Sequence, residues 1–218
     1  MNVKEFECGP VFTKTYVVFD EGTQQGIIID APPDSARVIV PFVRESKIQI
    51  QNIVLTHGHW DHVADALQLR RDLHAPVLYH KLDEPLILYP MESSLAPPFQ
   101  LEGCPADRFI DDGEILSIGN LSFKILFLPG HSEGHIGLFE FHSSILFPGD
   151  VIFKESIGRT DLPGGDYRTL IHSIFENIFT LPENTAIYPG HGLRTTLQYE
   201  RRYNPFLRGL DSLPEINK

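Results

Sequence analysis

Histidine and aspartate residues follow four apolar runs of this sequence, each at a short turn. Three of the turns share one pattern, in which Pro-Gly precedes a residue that can bind a metal ion: Pro129-Gly130-His131, Pro148-Gly149-Asp150 and Pro189-Gly190-His191. The fourth run, Ile53-Val54-Leu55, leads through a threonine into His57-Gly58-His59-Trp60-Asp61-His62. If the runs are strands of a sheet, their ends bring these distant residues together around one centre. The pattern therefore predicts a metalloenzyme.

The segment His57–His62 offers four nitrogen and oxygen donors within six residues. On a loop, His57 and His59 can point towards one ion, while Asp61 and His62 turn towards a second. Three donors for each ion and an open coordination position are typical of a catalytic metal site rather than a structural one. Imidazole and carboxylate donors without a thiolate suit Zn²⁺, and also Fe or Mn. We therefore expect two divalent metal ions, with Zn as the first choice.

The Pro-Gly turns supply the remaining ligands. His131 can complete the site of the first ion, His191 that of the second, and Asp150 can bridge the two. A carboxylate bridge holds two cations at the separation of roughly 3.5–4 Å that two-metal hydrolysis uses. Among the other histidines, His135 is a candidate for a contact behind the ligands. The expected metal ligands are His57, His59, Asp61, His62, His131, Asp150 and His191.

The secondary structure that must position these residues can be read from composition and spacing. Runs rich in β-branched and aromatic residues predict strands at 12–19, 27–29, 53–55, 76–79, 121–128, 144–147 and 186–188. Amphipathic spacing predicts helices over 34–45, 61–73 and 166–181, with Asp34 and Asp166 as N-caps. Prolines interrupt the segment 81–110, which we interpret either as a lid or substrate loop or as a passive surface connection. The two halves of the chain have similar ingredients, which favours a β-sandwich with outer helices.

The composition limits the class of partner. The chain has 218 residues and a net charge of −11, from 18 basic and 29 acidic residues. Nucleic-acid binding relies on clustered Lys and Arg, so this balance disfavours it. No apolar run approaches the roughly 20 residues that cross a bilayer, and the N-terminus lacks the features of a signal peptide. With Cys8 and Cys104 expected as reduced thiols, we predict a soluble, cytoplasmic protein that has a small-molecule substrate and neither a nucleic-acid nor a membrane partner.

In order along the chain, Asp30 after a buried strand, the His57–His62 motif, His131, Asp150 and His191 resemble the five motifs of the metallo-β-lactamase superfamily. The resemblance covers nearly the whole chain. It implies a single domain over 1–218 with an α/β fold, a four-layer αβ/βα sandwich of two mixed β-sheets flanked by helices, with the metals at one sheet edge. It also implies that Asp30 orients the His-rich loop instead of binding metal. The motifs depart from the family at Ala31 and Asp65, where glycine is usual, and neither change removes a ligand.

Further motifs are similar to those of the glyoxalase II branch: Leu128–Ile136, Phe147–Asp150, Ile157–Asp161, Tyr188–Gly192, Thr195-Thr196 and Asn204–Leu207. This resemblance implies hydrolysis of a thioester of the hydroxyacylglutathione type, by a hydroxide that bridges two ions. Asp61 and Asp150 would hold the ions and accept the water's proton. Few residues follow His191, which is typical of a short form without the C-terminal helical domain that helps to bind glutathione.

Two arginines are candidates for binding an anionic group of the substrate. Arg159 lies in the Gly-rich loop after Asp150, where relatives that hydrolyse glutathione thioesters often have a basic residue. An ion pair with Asp161 is an equally good interpretation of Arg159. Arg194, two residues beyond Gly192, is a weaker candidate.

The same candidate ligands are compatible with other functions. An iron-dependent persulfide dioxygenase would use His57, His131 and Asp150 around one Fe. A phosphodiesterase or ribonuclease is disfavoured by the net negative charge. A binding module without activity is disfavoured because all seven ligands are present. The hydrolase is the preferred hypothesis, and its metal content distinguishes it from the dioxygenase.

Overall fold

Two mixed β-sheets form the centre of the molecule. The structure, a computed structural model, describes residues 1–92, 96–97 and 99–208. The first sheet has the strand order β1-β2-β3-β4-β5-β6. Its strands are β1 (Asn2–Cys8), β2 (Thr13–Phe19), β3 (Gln25–Ile29), β4 (Gln49–Val54), β5 (Val77–Tyr79) and β6 (Arg108–Phe109). The first three strands are antiparallel neighbours, and β3 to β6 are parallel.

The second sheet and a short hairpin complete the strands. The hairpin and sheet consist of β7 (Ile115–Ile118), β8 (Leu121–Phe127), β9 (Ile136–Glu140), β10 (Ile145–Phe147), β11 (Ile152–Phe153), β12 (Ser156–Ile157), β13 (Ala186–Ile187) and β14 (Thr195–Thr196). The sheet order is β14-β13-β10-β9-β8-β7, and β11 pairs with β12. Because β9 is antiparallel to both β8 and β10, and β13 is parallel to β10, the strands β8, β10 and β13 end at the same edge.

Helices cover the outer faces of both sheets. They are α1 (Ser35–Glu45), α2 (Trp60–Val63), α3 (Ala66–Leu73), α4 (Glu84–Leu88), α5 (Tyr167–Ser173) and α6 (Leu197–Tyr203), with a 3₁₀ turn at Lys81–Asp83 and a π-helical turn at Ile174–Ile178. None of the helices in the described part of the chain combines the length and apolar composition that a bilayer crossing requires. Cys8 and Cys104 are both free, as expected.

Because side chains alternate between the two faces of each strand, the apolar core is divided into three layers. Ile28 of β3 packs with Ile39 of α1, on the outer face of the first sheet. Its neighbours Ile27 and Ile29 face the opposite way and pack between the two sheets. A third apolar layer joins the second sheet to α5 through residues such as Leu170. Successive side chains of a strand point to opposite faces, so this order of layers is the predicted αβ/βα sandwich.

The predicted helix over 61–73 is wrong, because the helix breaks at Asp65. The backbone N–H of Asp65 donates to the carbonyl of Ala31 instead of continuing the helix, and a new helix begins at Ala66. The predicted N-cap at Asp34 is also wrong, since its side chain makes no capping hydrogen bond. The carboxylate of Asp65, in the break between α2 and α3, accepts from the N–H of Ala36 at 2.8 Å and provides that cap. Asp166 caps α5 as predicted, through the N–H of Thr169.

The segment 81–110 is less irregular than its prolines indicate. It contains the 3₁₀ turn, α4 and β6. Residues 93–95 and 98 of this segment lie outside the described residues. Ala96 lines the cavity over the candidate metal centre, and Phe99 packs edge-on against Trp60 at a centroid distance of 5.6 Å. The role of the segment as a lid stays a prediction.

Candidate metal centre

The Pro-Gly turns bring their ligands together by close approach of the backbone. A Cβ atom on Gly149, whose φ is +53°, would lie 2.6 Å from the hydroxyl of Thr56 and 2.8 Å from the ring of His135. A Cβ atom on Gly190 would collide with a carboxylate oxygen of Asp150. Real Cβ atoms are almost never closer than 3.0 Å to such neighbours. Glycine precedes these ligands because each turn packs directly against another part of the centre.

All seven predicted ligands meet at the shared edge of the two sheets. Their donor atoms form overlapping groups whose members lie within 4.8 Å of one another. The groups are His57 with His59 and His131, His57 with His62 and Asp150, and Asp61 with His62 and His191. Oδ2 of Asp150 lies 3.7 Å from Nε2 of His131 and 3.4 Å from Nε2 of His191. Asp150 is therefore placed between the predicted ligands of the first and second ion.

Several donor atoms of this cluster are buried without a partner. Within the described residues, Nε2 of His57, His59 and His131 and Oδ1 of Asp150 make no hydrogen bond. An unpaired buried polar atom costs about 1–3 kcal/mol, and native proteins rarely leave several in one place. Imidazole and carboxylate donors that converge in this way fit divalent cations, which would satisfy each atom.

Asp30 and Thr56 fix the orientation of two of the rings. Oδ2 of Asp30 accepts from Nδ1 of His62 at 2.8 Å and from the hydroxyl of Thr56 at 2.9 Å. The hydroxyl of Thr56 in turn lies 3.0 Å from Nδ1 of His57. With Nδ1 engaged, each ring presents Nε2 to the centre, an arrangement that is usual for histidine ligands of metals. Asp30 therefore contacts the His-rich loop from behind.

Other contacts behind the ligands were not visible in the sequence. Nδ1 of His131 donates to the backbone carbonyl of Arg159 at 2.8 Å. The hydroxyl of Thr13, at the start of β2, donates to Asp61 at 2.8 Å. These contacts join segments far apart in the chain, and no motif marks them. His135, a weak candidate from the sequence, accepts from the N–H of Asp150 at 3.1 Å and stacks on His57.

Burial and neighbouring charges shift the pKa values of the metal-free centre in both directions. Burial, and next the charge of His131, lower the pKa of His59 to about 3. Burial alone would raise the pKa of Asp61, but His62 and His191 lower it to about 2. Near neutral pH, His59 is therefore neutral and Asp61 is ionised. His191 and His62 differ. Burial would lower the pKa of each, but Asp150 and Asp61 raise that of His191 to about 9 and that of His62 well above its usual value, so cation binding must displace their protons.

A cavity of about 340 Å³ lies over the cluster. Five of the predicted ligands line it, together with a largely apolar wall. The ligands are His59, Asp61, His131, Asp150 and His191, and the wall consists of Val11, Trp60, Ala96, Leu162 and Arg159. A small molecule entering the cavity would meet the metal ligands at one end and apolar side chains at its sides.

The two predicted substrate-binding arginines differ in position. Arg159 lines the cavity, but its Nε and Nη2 donate to the two carboxylate oxygens of Asp161, each at 2.8 Å, in an exposed, bidentate pair. Arg194 is absent from the described residues that line the cavity. Its guanidinium instead donates to Glu5 at 2.8 Å and lies over the ring of Tyr188. The geometry thus provides no cavity contact for Arg194.

Comparison with proteins of known sequence gives matches over nearly the whole chain. The chain is 40% identical over 184 residues to hydroxyacylglutathione hydrolase GloC of Haemophilus influenzae, which covers 83% of this chain and 86% of that protein. It is 34% identical over 215 residues to the probable metallo-hydrolase YqgX of Bacillus subtilis, covering 96% and 99% of the two chains. These relatives support a metal-dependent hydrolase.

Solved structures agree with the fold. BLEG-1, described as a B3 metallo-β-lactamase, superposes with a TM-score of 0.87 at 33% identity, covering 95% of this chain and all of that one. TTHA1623 in a di-iron-bound form gives 0.80 at 33% identity, with coverage of 94% and 100%. ETHE1 from Myxococcus xanthus gives 0.79 at 26% identity, with coverage of 94% and 84%. The pattern described as the Metallo-beta-lactamase superfamily matches residues 8–191. The chain belongs to the metallo-β-lactamase superfamily and has its four-layer fold.

Proposed function

We propose that this protein is a two-metal hydrolase of thioesters, of the hydroxyacylglutathione hydrolase type. The observation that carries the proposal is the position of Asp150, whose carboxylate lies between two groups of ligands at one end of the cavity. That arrangement suits two cations that share a carboxylate, as in two-metal hydrolysis. The identity of 40% to GloC supports the thioester as substrate.

The ligand set is compatible with more than one metal. It contains imidazole and carboxylate groups and no thiolate, which suits Zn²⁺ and also Fe or Mn. We propose two Zn ions as the resident metals. Iron is the first alternative, since TTHA1623, with 33% identity, has been crystallised in a di-iron-bound form.

The ions, when bound, would supply a water nucleophile active near neutral pH and positive charge for the developing oxyanion. The protein's own residues then have defined tasks. Either Asp61, held by Thr13 and ionised, or Asp150 would accept the one proton that the water loses. The apolar wall, which includes Val11 and Leu162, would exclude bulk water from the thioester. A thiolate leaves without protonation, so a dedicated general acid is not required.

The substrate contacts are proposed from the cavity. Among the described residues that line it, Arg159 carries a guanidinium, which would bind an anionic group of the substrate after exchange of its partner Asp161. A glutathione thioester is a small molecule of the reducing cytoplasm, and the free Cys8 and Cys104 agree with that compartment.

The test combines metal analysis with an activity assay. Protein purified without added metal should contain about two Zn, Fe or Mn ions per chain and release thiol from S-D-lactoylglutathione. His57→Ala should remove metal and activity, while His172→Ala, an exposed histidine on α5, should change neither. Full turnover with full metal in His57→Ala would overturn the proposal. One Fe per chain, no thiol release, and oxygen uptake with glutathione persulfide would favour the dioxygenase.

A further inference from the structure

A buried carboxylate outside the ligand set joins two of the ligand loops. Asp83 ends the 3₁₀ turn that follows β5, and only 1% of its surface is exposed. Its Oδ2 accepts from the N–H of Gly58 at 2.7 Å and from the hydroxyl of Ser132 at 2.7 Å. Its Oδ1 accepts from the N–H of Gly134 at 2.6 Å. Three donors from two separate loops therefore meet on one side chain.

The loops that Asp83 joins carry the ligands predicted for the first ion. Gly58 stands between His57 and His59, and Ser132 follows His131 directly. The ligands of the second ion, by contrast, are held by other contacts, such as that of Thr13 with Asp61. Loss of the Asp83 carboxylate would therefore release the first group of ligands and leave the second group in place.

The two glycines that donate to Asp83 are packed so closely that neither position has room for a side chain. A Cβ atom on Gly134 would lie 2.5 Å from the backbone nitrogen of Asp83 and 2.8 Å from its Oδ1. A Cβ atom on Gly58 would lie 2.6 Å from the side chain of Leu86, which is three residues after Asp83. Both loops thus present glycine where they contact the turn that carries Asp83.

The requirement is for two acceptor oxygens. The N–H groups of Gly58 and Gly134 bind different oxygens of Asp83, and a backbone N–H can only donate. Asparagine has a single oxygen, so its NH₂ group would face one of these two N–H groups. An isosteric Asp83→Asn change therefore breaks the connection between the loops while it preserves the volume of the side chain.

We propose that Asp83 is a positioning residue for the first of the two metal ions, because it joins the loop of His57 and His59 to the loop of His131. The inference rests on the proposed two-metal function. Groups that hold metal ligands from behind typically change metal affinity by roughly 10–100-fold when they are removed. The expected effect of Asp83→Asn is a loss of this size at the first site, with the second site unchanged.

Two background variants separate the sites. His191→Ala leaves the first site as the high-affinity site, and His59→Ala leaves the second. Zn²⁺ affinity is measured in both backgrounds by competition with a chromophoric chelator, with and without Asp83→Asn. Glu84→Gln, the neighbouring acidic residue, is the matched control. Asp83→Asn should weaken Zn²⁺ binding roughly 10–100-fold in the His191→Ala background and leave it unchanged in the His59→Ala background, while Glu84→Gln changes neither.

The outcomes are distinct. Equal weakening in both backgrounds would indicate a general structural role and overturn the inference, as would unchanged affinity in both. If Asp83→Asn does not fold, Ser132→Ala removes one donor from the same oxygen and should weaken the first site alone, in the same direction. If the wild-type protein binds two ions and hydrolyses thioesters but Asp83→Asn has no selective effect, the inference fails and the proposed function stands. If the wild-type protein binds no ion at His57, both fail.

Discussion

Oδ2 of Asp30 accepts a hydrogen bond from Nδ1 of His62 at 2.8 Å, and at most 2% of either residue is exposed. The backbone of Asp30 has a φ of +62°, in the left-handed region that aspartate tolerates better than most residues. Parallel pairing of β3 with β4 brings the end of one strand beside the end of the other. The contact therefore depends on the register of the sheet and on one unusual backbone angle, and it directs Nε2 of His62 towards Asp61 and Asp150.

The first prediction concerns this contact. The two carboxylate oxygens of Asp30 accept hydrogen bonds from Thr56 and His62, whereas the asparagine in Asp30→Asn has a single oxygen. We expect affinity for the second ion to fall roughly 10–100-fold, as for other groups behind metal ligands. Zinc titration of the metal-free protein measures the change. Asp72→Asn, an exposed carboxylate on α3, is the control and should bind zinc normally; equal affinity in both variants would contradict the positioning role of Asp30.

The second prediction concerns metal removal. Without cations, the buried donor atoms of His57, His59 and His131 have no partner within the described residues. A ligand that binds only the folded state raises the free energy of unfolding by about 2.7 kcal/mol at a hundred times its Kd. We therefore expect a chelator to lower Tm by several degrees and added Zn²⁺ to restore it, as measured by calorimetry. An unchanged Tm would argue against resident metal at this cluster.

The third prediction tests the pairing of Arg159 with Asp161. If Arg159 binds an anionic substrate, Arg159→Ala should raise KM for S-D-lactoylglutathione several-fold and leave kcat nearly unchanged, because remote binding is lost. Asp161→Asn frees the guanidinium and should lower KM for the same substrate. A neutral thioester of similar size is the control, since its KM should respond to neither change. An unaltered KM for the anionic thioester in Arg159→Ala would show that Arg159 pairs with Asp161 and does not bind the substrate.

The fourth prediction concerns the close approach at Gly190. A Cβ atom there would collide with Asp150 and lie 2.8 Å from the ring of His62. Gly190→Ala should therefore displace a ligand and lower both metal content and activity at least tenfold. Gly22→Ala is the matched control, because its nearest contact would be an ordinary 3.6 Å. Normal zinc content in Gly190→Ala would show that the turn can move without loss of the site.

The clustering of the candidate ligands could be predicted from the sequence because each lies in a short turn that follows an apolar run. Local residue patterns encode that a strand ends and that a donor comes next, so Asp150 and His191 are recognisable without knowledge of the fold. Contacts behind the ligands depend instead on how distant segments meet. Thr13 and Asp61 are 48 residues apart, and Asp83 and Gly134 are 51 apart. No local periodicity marks such pairs.

Arg194 illustrates the same limit. Its distance from Gly192 in the sequence favours a place near the centre, yet its partner Glu5 lies 189 residues away, on β1. Apolar spacing that persists across 61–73 predicts one continuous helix there. The break depends on hydrogen bonding between Asp65 and the segment around Ala31. Helical periodicity carries no information on such a contact between distant segments.

The fifth prediction separates Asp65 from Asp34 as the cap of α1. The carboxylate of Asp65 accepts from the N–H of Ala36, whereas the carboxylate of Asp34 pairs with the exposed Arg37 on the surface. Loss of a helix N-cap typically costs about 1 kcal/mol, within a range of about 0.5–2. We therefore expect Asp65→Ala to lower the free energy of unfolding by about 1–2 kcal/mol. Asp34→Gly removes the carboxylate and tolerates the left-handed φ of +66° at this position, and it should change the free energy of unfolding by less than about 0.5 kcal/mol. Urea denaturation of both variants with metal bound measures the difference. A larger loss of stability in the Asp34 variant than in the Asp65 variant would show that Asp34 caps α1. It would also show that Asp65 does not hold α1 to α3.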